Sequence, residues 1–199
     1  MFNAFQGGPI TPTICINKGK FMTSWEEEGI RQEMEQTDIL ILGIGNILLS
    51  DEGAGIKAVW ELQQSYEIPS GVEVVDGGTS GMELLSTIEN RKHLFILDAL
   101  NSDGDNPGSV ARIDLSEEPG FFQNKVSPHQ LGLSEVLAVT QITGTQPENI
   151  ILYGIRPSSL ETGTELSPEA ESGIRTAMDL LFRDLRQLGA EPARLQPDA

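Results

Sequence analysis

The chain has 199 residues, thirty of them acidic and thirteen basic, for a formal net charge of −17. That length suffices for one domain with a sizeable core. The charge excludes phosphate-backbone binding to nucleic acid, which needs clustered Lys and Arg. It suits a cleft that attracts cations or a basic partner segment. The single cysteine, Cys15, excludes an internal disulfide and a multi-cysteine zinc site within one chain. It fits a reducing compartment, and the expected localisation is cytoplasmic. No apolar run approaches the ~20 residues of a membrane span, so membrane insertion is not expected. The N-terminus lacks the charged start and apolar stretch of a secretory signal.

Residues 1–36 differ from the rest. Gly7-Gly8-Pro9 and Thr11-Pro12-Thr13 read as loop, and Glu26-Glu27-Glu28 onward is polar. Ile14-Cys15-Ile16 is too short an apolar stretch to be expected in a core. The segment is expected to be a flexible leader, or an over-extended start, since Met34 stands just before the first strand.

From Asp38 the pattern alternates between strand and helix. Residues 39–42 form a continuous apolar run, as expected of a strand buried on both faces. Residues 53–66 carry Ile56, Val59, Trp60 and Leu62 at helical spacing. A second strand over 72–75 ends in Asp76-Gly77-Gly78. Thr79 or Ser80 is expected to cap a helix holding Met82, Leu84, Leu85 and Ile88. Residues 94–97 make a third strand, and Asp98 closes it. After the turn-rich segment 101–108, residues 110–115 alternate like a strand. Ser127-Pro128-His129-Gln130 reads as a helix start, and the helix is expected over 131–140, ending near Gly144. Residues 149–155 form another apolar strand. Ser167-Pro168 opens the last helix, with Pro at its first position and Glu169 in its first turn. Ile174, Met178, Leu181, Leu185 and Leu188 make its buried stripe, and Gly189 marks its stop. The expected organisation is a leader over 1–36, one α/β domain over 37–189 and a tail over 190–199. The expected fold is a three-layer α/β sandwich: a central, twisted, mostly parallel sheet with helices on both faces.

Ligands of such open sheets bind beyond the carboxyl ends of the strands. Glu52, Asp98 and His129 fall there, and two carboxylates with one imidazole can hold a divalent metal with open positions. Each residue also has a plainer reading. Glu52 can be a charge at a helix start, Asp98 a loop cap, and His129 a capping or surface histidine. The turn Gly43-Ile44-Gly45 invites a dinucleotide reading, with Asp76 where a ribose-binding acid would stand. A full fingerprint would need glycine at position 48, which is Leu48. The next helix also opens on Asp51-Glu52, which would repel a pyrophosphate. No GxSxG elbow supports a serine nucleophile. Asp51 and Asp76 are further candidates for lining a cleft. Asp51 can equally orient Glu52, and Asp76 can brace the Gly77-Gly78 turn.

Four segments resemble one known family in order and spacing: Gly43-Ile44-Gly45-Asn46-Ile47-Leu48-Leu49-Ser50-Asp51-Glu52-Gly53, Asp76-Gly77-Gly78-Thr79-Ser80-Gly81-Met82-Glu83-Leu84-Leu85, Leu97-Asp98-Ala99, and Ser127-Pro128-His129-Gln130-Leu131-Gly132-Leu133. Together they are similar to the nickel–iron hydrogenase maturation endopeptidases over roughly residues 38 to 188. The leader before residue 37 departs from the family pattern. The resemblance implies an enzyme that cuts a C-terminal extension from the hydrogenase large-subunit precursor after nickel has been inserted. It implies that the precursor's nickel is the recognition mark, and that the metal positions are Glu52, Asp98 and His129. Loops 46–53, 76–81 and 99–108 are expected to rim an open cleft. Two other readings stay open at this point. One is a non-catalytic, nickel-sensing chaperone or binding module for the same precursor; the other is a Rossmann-type nucleotide-binding enzyme.

Overall fold

The computed structural model describes residues 14–17, 20–23, 37–100, 106–116 and 128–196, with only the backbone of 14–17, 20–23 and 128–131. The chain divides into two units, Met1–Gln36 and Thr37–Ala199. In the first, strands β1 (Ile14–Asn17) and β2 (Lys20–Thr23) pair antiparallel, so Ile14-Cys15-Ile16 lies in a strand.

The second unit is built on a five-stranded sheet. Its strands are β3 (Ile39–Ile44), β5 (Val72–Gly78), β6 (His93–Ala99), β7 (Val110–Asp114) and β8 (Asn149–Ile155), in the order β5-β3-β6-β8-β7. The first four in that order run parallel, and β7 is antiparallel to β8 at one edge. Continuous apolar runs make the inner strands because both of their faces are covered. Ile39 and Ile41 join Phe95, Leu97, Ile151 and Tyr153 on one face. Leu40, Leu42, Leu94, Ile96, Ile150 and Leu152 lie on the other.

Helices α1 (Ala54–Ser65) and α4 (Pro168–Gln187) cover the first face through Ala58, Val59, Leu62, Ile174, Met178, Leu181 and Leu185. The short α2 (Leu85–Ile88) and α3 (Pro128–Thr143) cover the second through Ile88, Leu133 and Val136. The result is the expected three-layer α/β arrangement. Helix α4 shows why its ends fall where they do. Ser167 caps it by accepting from the Ala170 N–H at 3.1 Å, Pro168 occupies the first position, and Gly189 follows with φ 70°. Each buried Leu on its stripe contributes roughly 1.5–3 kcal/mol, more than helix propensity supplies.

The structure departs from expectation in two places, after β5 and in the tail. The helix after β5 is a 3-10 turn, Met82–Leu84, running into the four-residue α2, and neither Thr79 nor Ser80 caps it. Instead Glu83 accepts from the Gly81 N–H at 3.2 Å and so occupies the capping donor. Helix α3 begins at Pro128, within the Ser127-Pro128-His129-Gln130 start that the sequence suggests. Within the segment expected as tail, Ala190 is buried and β9 (Ala193–Arg194) pairs with β4 (Tyr66–Glu67). Two-residue strands carry no periodicity to be read.

Candidate functional site

The chain leaves β3 for β5 on one side and then crosses to β6 on the other. The topological switch point therefore lies between the carboxyl ends of β3 and β6, where open sheets form their crevice. What stands there follows from how the turn after β3 is folded. Leu49 and Leu48 donate N–H bonds to the carbonyl and side-chain oxygens of Asn46, at 3.1 and 3.0 Å. Glu52 then donates to the Leu49 carbonyl at 3.1 Å and accepts from the Asn46 N–H at 3.2 Å. The turn thus closes on itself and returns Glu52 to its start. Gly45 lies at φ 141°, and a Cβ there would collide with the Glu52 carbonyl. A Cβ on Gly43 would sit 2.5 Å from the Gly55 oxygen. Both glycines serve close packing of turn and helix.

Glu52 and Asp98 are both buried, at 9% and 0% exposure. The 3-10 turn Ser50–Gly53 packs on β6, and a Cβ on Gly55 would collide with the Leu97 carbonyl. The fold therefore brings the segments of Glu52 and Asp98 together at the switch point. Glu52 and Asp98 each have an interaction partner within the protein. His129 lies in the first turn of α3. Three residues on, a Cβ on Gly132 would lie 2.9 Å from the Gly81 Cα, so α3 starts against the loop that follows β5. That places the His129 backbone at the same sheet edge, while its side chain lies outside the described residues. Among the described residues no three His, Cys, Asp or Glu side chains gather as a metal-holding group. A complete set of donors therefore turns on His129.

Asp51 and Asp76 are tied into the scaffold. Asp51 is fully buried. Its carboxylate accepts from the N–H groups of Ser158, Ser159 and Ser167 at 2.8, 3.0 and 2.7 Å, and from the Ser167 hydroxyl at 2.7 Å. Burial pushes its pKa upward, but these four bonds outweigh it and hold the group below the usual carboxylate range. Asp51 thereby fastens the Glu52 turn to the 156–167 segment and to the cap of α4. Leu49 bridges to Gly163 and the Ser50 hydroxyl donates to the Glu161 carbonyl, which extends the same seam. Asp76 is exposed and accepts from the Gly78 N–H at 2.9 Å and from Trp60 Nε1 at 2.8 Å, bracing its turn. Loops 46–53 and 76–81 lie at this edge, as do the described parts of 99–108. Segment 156–167 joins them, and its role had no signal in the sequence beyond Pro157 and the cap at Ser167.

Comparison with known proteins bears on the family and the fold. The family profile described as HycI, hydrogenase maturation protease, matches residues 56–184. The hydrogenase 2 maturation protease of Escherichia coli (strain K12) is 46% identical over 153 residues, covering 77% of this chain and 93% of that protein. The structure titled hydrogenase maturating endopeptidase HybD from E. coli superposes with a TM-score of 0.75 at 44% identity, over 79% of this chain and 98% of that one. The [NiFe] hydrogenase maturation protease HybD from Thermococcus kodakarensis gives 0.60 at 26% identity, over 74% and 98%. The chain belongs to the hydrogenase maturation protease family and is a peptidase.

Proposed function

We propose that this peptidase removes the C-terminal extension of a nickel-loaded hydrogenase large-subunit precursor and so completes hydrogenase maturation in the cytoplasm. The observation that carries the reading is the convergence of Glu52 and Asp98, two buried carboxylates, at the switch point beside the first turn of the helix bearing His129. Glu52, Asp98 and His129 are the groups that would hold the precursor's nickel, which is part of the substrate. When bound there, the ion can supply Lewis-acid polarisation of the scissile carbonyl as well as a recognition mark. His129 must be neutral to ligate; a helix start favours that form, and the neighbouring carboxylates oppose it until a metal binds.

A protein substrate needs an open, partly apolar rim. Leu48 is 59% exposed and Leu160 44%, and the Gly163 N–H donates to the Leu48 carbonyl, so the two residues flank one seam. With Met82 they put exposed apolar side chains on three loops at the site edge, which suits contact with a folded partner. No described helix is long and apolar enough to cross a membrane.

The test is to incubate the purified protein with a nickel-loaded precursor and weigh the precursor by intact-protein mass spectrometry. Loss of one C-terminal peptide is the expected result. A stable complex with unchanged mass would move the reading to a binding module.

A further inference from the structure

Among the described residues, the only buried side-chain nitrogen or oxygen atoms without a hydrogen-bond partner are Nε and Nη1 of Arg156. Position makes this informative. Arg156 follows Ile155, the last residue of β8. Its N–H donates to the Ser109 carbonyl at 2.9 Å, and its carbonyl accepts from the Gly108 N–H at 2.8 Å, so the extended pairing continues through it. Pro157 favours the same extended backbone. Two residues back along the strand is Gly154, which is paired in register with Asp98. Two residues forward is Ser158, whose N–H is bound by Asp51, the neighbour of Glu52. Arg156 therefore sits at the carboxyl edge, next to the strand that carries Asp98 and in the segment that Asp51 ties to the Glu52 turn.

A guanidinium cannot leave this situation by losing its proton. Buried N–H groups without an acceptor cost free energy, and in native structures each calls for an explanation. The residue as a whole is half-buried, so the group stands at the boundary of the site rather than in the core. The missing acceptor must also balance a charge, and in a chain of net charge −17 a lone cationic spot is selective. A carboxylate meets both needs, since its two oxygens match the guanidinium in charge and in planar geometry. We propose that Arg156 binds a carboxylate of the peptide substrate and positions the segment being cleaved. This rests on the peptidase reading above. The carboxylate comes either from an acidic side chain of the extension or from its terminal carboxyl group.

The experiment uses the wild type, Arg156→Met and Arg156→Lys. The nickel-loaded precursors carry a native extension, one with its acidic side chains changed to amides, or one amidated at its C-terminus. Arg156→Met keeps the bulk and removes the unpartnered charge, so the free enzyme's Tm should rise or hold. Its KM for the native precursor should increase about 10–100-fold, the loss expected for a charged hydrogen bond, with kcat changed less than about threefold. Arg156→Lys should show a smaller KM rise. The wild type should suffer the same KM penalty on one of the neutralised precursors, and Arg156→Met should be indifferent to that change. The arm that shows this identifies the source of the carboxylate. Titration calorimetry of the same pairs reads the affinity without turnover. Absence of cleavage by the wild type would count against the peptidase reading, while the affinities would still decide the role of Arg156. A fall in Tm with unchanged KM and affinity would overturn the proposal in favour of a structural arginine. So would a wild type indifferent to both neutralised precursors.

Discussion

A buried arginine and a half-buried one stand at opposite edges of the same sheet and behave in opposite ways. At the amino edge Arg91 is 3% exposed and fully engaged. Its Nε donates to the Thr87 carbonyl at 2.8 Å, and Nη1 to the Thr37 carbonyl and hydroxyl at 2.8 and 2.7 Å. Nη2 donates to Glu73 at 2.5 Å. Beside it the Asp38 carbonyl accepts from the N–H groups of Lys92 and His93, each at 3.0 Å. At the carboxyl edge Nε and Nη1 of Arg156 are buried without such partners. The lesson is that a buried charge retained for structure is saturated, whereas one left unsaturated is kept for something that binds. The carboxyl edge holds both kinds side by side, because Asp51 is saturated by four bonds.

The largest effects should separate the two edges by activity. Glu52→Gln, Asp98→Asn and His129→Ala should each abolish processing. Losing an outer partner of a metal ligand already costs about 10–100-fold, and loss of a ligand itself should exceed that. Far-UV circular dichroism should stay unchanged in all three, and unaltered cleavage by all three would refute the site. Stability should respond most to Asp51→Ala. That change strands three backbone donors and should cost roughly 3–5 kcal/mol, lowering Tm by about 10 °C.

Acidity tests the same residue from another side. The folded-state pKa of Asp51 lies below its unfolded value. Its contribution is therefore complete above the unfolded value, ~4, and is lost as pH falls through the lower folded one. In denaturant titrations across pH, the wild-type advantage over Asp51→Asn should be constant near neutrality and shrink only below about pH 4. An advantage that grew on acidification would contradict this sign.

Arg91→Met should cost less, about 2 kcal/mol, because Glu73 keeps 43% exposure and can return to water. Its kcat and KM should stay at wild-type values. This is the mirror of Arg156→Met, and equal responses from the two arginines would erase the distinction between the edges. The smallest effect belongs to Leu48→Ser at the rim. It should change stability by no more than about 0.5 kcal/mol while raising KM a few-fold in steady-state assays.

The layers were legible in the sequence because both-face burial writes itself as apolar runs, as in 39–44 and 149–155, and one-face burial as the stripe of α4. Glu52 and Asp98 were legible because one lies in the turn after a strand and the other closes an apolar run, where open sheets collect their ligands. The rest depends on distant pairing. Nothing local says that Asp51 binds residues 107 to 116 positions away. Arg156 reads as an ordinary solvated arginine after a strand, and only the burial of its Nε and Nη1 without an acceptor sets it apart. Trp60 likewise looks like a core residue by spacing, yet its ring nitrogen braces Asp76.

The central claim is that the carboxyl edge acts on a precursor marked by nickel. The direct measurement is the rate of peptide release, by intact-mass spectrometry, from matched nickel-loaded and nickel-free precursors treated with the wild type. The account predicts release of a single peptide from the loaded form and none from the nickel-free form. Equal release from both would contradict it.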